Sequence, residues 1–139
     1  KYAMYLNNDA YEALKKMIDA MPNEIANDFY VKEAYTSFTD LQYSNPNLAG
    51  KDERQLGHTV SIASKSIAYH EFETAALSQW LEAHSYEYGF ILRYPKRMAS
   101  STNHVYDAHY YRYVGKKNAN KIYKENSCIE EYNQKEAAE

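Results

Sequence analysis

Residues 71–95 constrain the fold most, because an amphipathic helix pattern there is followed at once by a strand pattern. In "EFETAALSQWLEAHSYEYG" the apolar side chains recur at helical spacing along one stripe, and Gly89 is placed to end the helix. The following "FILRYP" is typical of a short strand that Pro95 stops. Helix and strand therefore alternate at short range in this chain.

Comparable patterns predict the other elements. They indicate an amphipathic helix over Asn8–Ala20, strands over residues 28–35, 57–64 and 109–115, a loop over residues 36–51, and a last helix over residues 118–132. Because the strands lie close together in sequence between the helices, we predict an α+β fold with a mainly antiparallel sheet flanked by helices. We expect residues 1–139 to form a single domain, excised from a longer chain because it begins with Lys1 rather than Met.

Charge and hydropathy exclude several classes of function. A net charge of −3 argues against nucleic-acid binding, and no stretch approaches the ~18 apolar residues of a membrane span. The lone Cys128 excludes an internal disulfide and a CxxC-type zinc cluster. The charge is unevenly spread, since residues 91–124 are basic and residues 125–139 are acidic, a pattern most typical of a solvated surface.

The order of four short motifs identifies a resemblance. W-L at Trp80, Y-G-F at Tyr88, R-Y-P at Arg93 and a final R-Y-V-G at Arg112 follow one another in this order. The run resembles the VanY-like D-alanyl-D-alanine carboxypeptidases, zinc peptidases that trim peptidoglycan stem peptides. Upstream, "ERQLGHTVSI" is similar to the family's E-H-Q-x-G-x-A-x-D-I segment, so the resemblance covers about residues 8–132.

The resemblance implies where the functional residues should stand. The family binds zinc through a His and an Asp seven residues apart and through the His of E-P-W-H-x-R-Y-V-G, whose Glu is the general base. Carried over, the three ligand positions fall on Arg54, Ser61 and His109. The base position falls on Tyr106, and the arginine that faces the substrate carboxylate in the family falls on Thr36.

These residue types do not suit the family's chemistry. An arginine has no lone pair with which to ligate a cation, so Arg54 cannot replace a histidine. Ser61 removes the anionic ligand, and a phenol such as Tyr106 is a poor base at neutral pH. We therefore expect no catalytic residue and no bound metal, with His109 as a hydrogen-bonded core histidine.

A rebuilt metal site is the alternative. Asp107 and His109 lie two residues apart and share one face of an ideal strand, and His58 and His104 lie near the motif positions. Such a site would hold zinc and support an active D,D- or L,D-carboxypeptidase.

The leading hypothesis is a catalytically inactive domain that acts as a binding or structural module. The expected cleft residues are Thr36, Arg54, Ser61, Tyr106, His109 and Tyr111. Its partner would be a peptidoglycan stem peptide or a protein of the bacterial cell envelope, and the extracytoplasmic location follows from the resemblance alone. A purely architectural role, with the basic residues 91–124 as the contact, is a third hypothesis.

Overall fold

The computed structural model describes residues 6–34 and 57–138, which form a sheet with helices on it. The helices are α1 (Asn8–Ala20), α2 (Asn23–Asp28), α3 (Ala76–His84), α4 (Ala99–Thr102), α5 (Lys116–Lys124) and α6 (Ile129–Ala138). The strands are β1 (Phe29–Glu33), β2 (Thr59–Ser64), β3 (Phe90–Tyr94) and β4 (Asp107–Tyr113). Two 3₁₀ helices, Tyr69–Thr74 and Ser85–Tyr88, flank α3.

The described strands form one antiparallel sheet in the order β1-β2-β4-β3. Strand β2 lies in the middle, and all its residues are buried, so both faces of the sheet are covered there. The predicted α+β class with an antiparallel sheet is confirmed.

The main core lies on the sheet face that packs against α1 and α3. Asn7 caps the N-terminus of α1, where its side chain accepts a hydrogen bond from the Asp9 amide at 3.0 Å, and the helix buries Leu14 and Met17 one turn apart. These residues join the buried side chains of both middle strands and of α3, namely Val60, Ile62, Tyr111, Leu77 and Leu81. A smaller cluster of Ile91, Ala119 and Ile122 holds α5 against β3.

The helix predictions needed correction at three places. The helix predicted up to Gly89 is divided, because a 3₁₀ helix precedes Ala75 and another follows His84. The predicted last helix is two helices, α5 and α6, separated where Asn126 takes a left-handed conformation with φ +48°. The short helices α2 and α4 were not predicted.

Ion pairs join the basic segment to the acidic end of the chain. Arg93 pairs with Glu130, and Lys121 Nζ lies 3.4 Å from a Glu136 carboxylate oxygen. The uneven charge of the sequence is therefore partly neutralised within the fold.

Candidate functional site

The two middle strands bring Ser61 and Tyr110 directly opposite each other. Directly opposed residues of antiparallel strands carry their side chains on the same face of the sheet. The neighbouring pair, Val60 and Tyr111, lies on the face that forms the main core. Ser61 and Tyr110 therefore lie on the other face, which we call the second face.

The second face of β2 carries buried hydroxyl groups. Ser61 is 1% exposed and Thr59 is fully buried, and neither hydroxyl has a hydrogen-bond partner in the structure described. An unpaired buried hydroxyl costs about 1–3 kcal/mol, and most buried polar groups in proteins are paired. Two of them side by side are unusual for a sheet face that serves packing alone.

The ring of His109 is held by two hydrogen bonds and by two stacking contacts. Its Nδ1 lies 2.7 Å from the carbonyl oxygen of Ile62, and its Nε2 lies 2.8 Å from that of Tyr69. The ring stacks on the Tyr69 ring with centroids 3.7 Å apart, and on Phe72 at 4.5 Å. His109 thus fastens the 3₁₀ helix Tyr69–Thr74 to the sheet.

This bonding is incompatible with metal ligation by His109. A histidine binds a metal through a nitrogen lone pair, and carbonyl oxygens only accept hydrogen bonds. Because both ring nitrogens face carbonyl oxygens, His109 can ligate a metal only after its ring leaves this position. Its contacts are those of the hydrogen-bonded core histidine that the sequence favours.

Tyr106 and Asp107 lie beside His109 along one groove. The groove of about 390 Å³ is also lined by residues of the 3₁₀ helix Tyr69–Thr74. Burial, together with the negative charges of Glu82 and Glu73, raises the pKa of Tyr106 to about 12. A phenol with this pKa is a poor base at neutral pH. The Asp107 carboxylate accepts a hydrogen bond from the His109 amide at 2.9 Å.

Tyr111 does not lie in the predicted cleft. It is fully buried in the main core, and burial raises the pKa of its phenol well above the usual value. The prediction placed it in one cleft with His109. Tyr111 instead lies opposite Val60, on the face of the sheet that forms the main core, and it is buried there.

The histidines proposed for a rebuilt metal site point to different places. His58 precedes β2 and lines a cavity with Arg112 and Tyr132, whereas His104 is exposed and stacks on Tyr94 with centroids 3.9 Å apart. Among residues 6–34 and 57–138, no three His, Cys, Asp or Glu side chains are grouped so that they could hold a metal ion. Thr36 and Arg54 lie outside the described residues.

One buried ion pair ties the second face to the C-terminal helix. The Arg93 guanidinium donates to both Glu130 carboxylate oxygens, at 3.0 and 2.5 Å. Burial opposes ionisation of Glu130, but the hydrogen bonds and charge of Arg93 outweigh it and hold the Glu130 pKa below its usual value. The guanidinium also lies 4.8 Å from the centre of the Tyr94 ring, which neighbours Tyr110 at 6.0 Å.

Comparison with known proteins places these features in a family. Residues 42–116, more than half of the chain, match the family model described as VanY, D-alanyl-D-alanine carboxypeptidase. The chain belongs to this family.

Individual relatives agree with the family match. A Bacillus subtilis protein named as carboxypeptidase YodJ is 30% identical over 149 residues, which cover 94% of this chain and 54% of YodJ. A D-alanyl-D-alanine carboxypeptidase of Enterococcus faecalis is 34% identical over 124 residues, 88% of this chain and 44% of its own. The chain therefore spans about half the length of these curated relatives.

Solved structures show the same fold. The LD-carboxypeptidase LdcB superposes with a TM-score of 0.84 at 26% identity, over 96% of this chain and 72% of its own. A VanY D,D-pentapeptidase from a VanB-type vancomycin-resistance cassette, solved in complex with Zn(II), gives a TM-score of 0.75 at 26% identity, over 91% of this chain and 83% of its own.

The residues that the structure describes do not fit a catalytic zinc ion. Catalytic zinc takes about three protein ligands, from Cys, His, Asp or Glu, and an open position for water. Ser61 and Tyr110 offer neutral hydroxyls at the middle of the second face, and both nitrogens of His109 are engaged elsewhere.

Sequence reasoning overlooked Tyr110. The prediction that His109 occupies the histidine position of H-x-R-Y-V-G leaves one residue too many before Arg112. Counted back from Arg112, that position falls on Tyr110, and the glutamate position of E-P-W-H falls on Asp107 rather than Tyr106. The spacing to Arg112 was the signal that could have identified it.

Proposed function

We propose that this chain is a catalytically inactive VanY-family domain that acts as a binding module. The pairing of Ser61 with Tyr110 carries this proposal, because two ligands of one metal ion must be close neighbours. At this pair, two neutral side chains stand in place of the aspartate and histidine that the family resemblance implies.

Under this assignment all three ligand positions are changed. They hold Arg54, Ser61 and Tyr110, whereas Asp107 keeps a carboxylate at the position of the general base. The family's carboxylate acts on a water molecule whose pKa the zinc lowers to about 7. Without a metal, Asp107 would face water of ordinary acidity, so peptide hydrolysis is not expected.

Restoring the ligands tests both the proposal and the assignment. We expect the variant with Arg54→His, Ser61→Asp and Tyr110→His to bind one zinc ion per chain, measured by elemental analysis after dialysis. The matched control carries Arg54→His and Ser61→Asp only, with Tyr110 and His109 unchanged. If the control binds zinc as well as the full variant, His109 is the third ligand and the assignment to Tyr110 is wrong.

The second face is the proposed binding surface. Its accessible part is formed by the half-buried rings of Tyr110 and Tyr94, whose centroids lie 6.0 Å apart. Aromatic rings suit contact with a peptide chain, so we propose a peptidoglycan stem peptide or a segment of an envelope protein as the ligand.

Calorimetric titration tests the stem peptide directly. We expect heat of binding without release of D-alanine, and weaker binding in Tyr110→Ala. Tyr11→Ala, an exposed tyrosine on α1, is the matched control. Zinc-dependent release of D-alanine that is lost in His109→Ala would favour the rebuilt enzyme site instead.

The proposed location is extracytoplasmic, in the bacterial cell envelope, because the family acts on peptidoglycan. Within the described part of the chain, no helix has the length and apolar character needed to cross a membrane. Fractionation of cells that produce the full-length protein tests the location, and recovery in the cytoplasm alone would contradict it.

A further inference from the structure

Every charged residue of helix α5 is a lysine, and three of these lysines form one row. The sequence of α5, KKNANKIYK, holds four lysines and no acidic residue. Lys117, Lys121 and Lys124 are separated by four and three residues, so they lie next to one another on one helix face, and all are exposed. Ala119 and Ile122, which hold α5 against β3, lie on the opposite face. We call Lys117, Lys121 and Lys124 the lysine row.

Helix stability does not account for the lysine row. Like charges three or four residues apart repel each other on a helix surface. The helix dipole favours Lys121 and Lys124 in the last turn, but it opposes Lys117 in the first turn, where neither an acidic residue nor a side-chain cap offsets the charge. Neither Lys117 nor Lys124 forms an ion pair with another described residue. Their charges are therefore available to a partner.

Acidic residues beside the lysine row disfavour a broad anionic partner. The Lys121 Nζ lies 3.4 Å from a Glu136 carboxylate oxygen of α6. Glu125 follows Lys124 directly and pairs with Lys135 of α6 at 3.0 Å. A flat anionic surface, such as a membrane, would lie against Glu125 and Glu136 as well and be repelled, whereas a single chain can follow the row alone. The row therefore suits a linear polyanion.

The chemistry of the row favours phosphate groups that carry no bases. Arginine binds carboxylates through two parallel hydrogen bonds, whereas the ammonium group of lysine acts as a point charge and is a common phosphate ligand. The row consists of lysines alone. Single-stranded nucleic acids also need aromatic rings on which their bases stack. The neighbouring ring of Tyr123 is already stacked on Tyr86, with centroids 3.8 Å apart.

We propose that the lysine row binds a linear polymer of phosphate groups. The polymer lies along α5, with a phosphate next to each ammonium group over about 10 Å, the rise of the helix from Lys117 to Lys124. Although the net charge of the chain is −3, salt screens charges that lie farther than about 10 Å away, so the row decides the local attraction. The row faces away from the sheet, so this site is separate from Ser61 and Tyr110 and goes beyond the proposed function.

Titration of the purified chain with a short linear polyphosphate, at several salt concentrations, tests the proposal. With three lysine contacts, the logarithm of the affinity should fall with the logarithm of the salt concentration at a slope of about −2, which is about 15-fold between about 50 and 200 mM salt. Failure to bind polyphosphate at low salt would overturn the proposal. Tighter binding per phosphate of oligothymidylate, or of vesicles of anionic phospholipid, would also overturn it, because the surface would then prefer bases or a membrane.

Two matched double variants locate the contact. Lys117→Gln with Lys124→Gln should weaken polyphosphate binding at low salt at least about tenfold, with a slope of about −0.7 for the remaining lysine of the row. Lys32→Gln with Lys65→Gln removes the same net charge at exposed positions in and next to β1, at the other end of the sheet from β3 and α5. This control should bind polyphosphate as tightly as the unchanged chain. Equal weakening in the two variants would mean that net charge alone is responsible and would contradict the proposal.

Thermal unfolding separates a binding role of the row from a structural one. Lys117→Gln should unfold at the same temperature as the unchanged chain or at a slightly higher one, because a positive charge in the first helical turn opposes the helix dipole. Glutamine and lysine have nearly equal helix propensities, so the substitution leaves the helix itself comparable. A clearly lower unfolding temperature would show that Lys117 serves the fold, and it would contradict the proposal.

Discussion

The Arg93–Glu130 ion pair should contribute strongly to stability, because its geometry is bidentate and its guanidinium is buried. The Arg93 side chain is 8% exposed and that of Glu130 is 27% exposed. Breaking a fully buried pair costs about 3–5 kcal/mol, and the partial exposure of Glu130 lowers the coupling we expect to about 2 kcal/mol.

A double-mutant cycle with Arg93→Met and Glu130→Gln, followed by urea unfolding, measures this coupling free energy. The exposed pair of Lys135 and Glu125, with side chains 58% and 40% exposed, is the matched control. Exposed pairs contribute about 0–1 kcal/mol, so the control coupling should be several times smaller.

The coupling should also depend on pH in one direction. The Glu130 pKa is lower in the folded chain than its usual value, so its contribution is complete above that usual value of about 4.3. It is lost as the pH falls through the lower pKa of the folded state. A coupling no larger than that of Lys135 with Glu125 at neutral pH would refute the reasoning, as would a coupling that persists unchanged in strong acid.

Three further predictions concern single positions. Gly89→Ala should destabilise the fold more than Gly115→Ala does, as measured by thermal unfolding. Both glycines have positive φ, but of the two only Gly89 would bring its new Cβ against another side chain, at 2.7 Å from a Tyr113 ring carbon. Equal losses of stability in the two variants would contradict this packing. His109→Ala should lower the free energy of unfolding by about 2–4 kcal/mol through a cavity and lost hydrogen bonds. The zinc content of that variant should equal that of the unchanged chain, and a decrease would show that His109 is a zinc ligand. Tyr106 should ionise at a pH near its raised pKa of about 12, and because the unfolded phenol ionises near 10, stability should fall as the pH rises above about 10. An ultraviolet titration in which Tyr106→Phe removes no late-titrating phenol would contradict that assignment.

Local signals in the sequence predicted much of the fold. Gly89 and Pro95 bracket β3, and the apolar spacing of α1 appears directly in its buried residues. Helices α2 and α4 were missed because elements this short carry no periodic pattern. The break between α5 and α6 depends on the left-handed Asn126, which helical spacing does not detect.

The candidate site was harder to predict than the fold. The sequence placed Tyr111 in the cleft with His109, but its pairing with Val60 across the two middle strands buries it in the core. The role of His109 depends on carbonyl groups of Ile62 and Tyr69, which are far from it in sequence. Only the register of β2 with β4 brings Ser61 opposite Tyr110, and no local motif encodes that pairing.

Zinc content of the purified chain tests the central claim most directly. After dialysis against micromolar zinc, elemental analysis should find less than about 0.1 equivalent per chain, because neither the Ser61–Tyr110 pair nor His109 supplies the ligands that a zinc site needs. One tightly bound equivalent that decreases in His109→Ala would contradict the account. It would mean that the chain has rebuilt a metal site and that carboxypeptidase activity must be assayed.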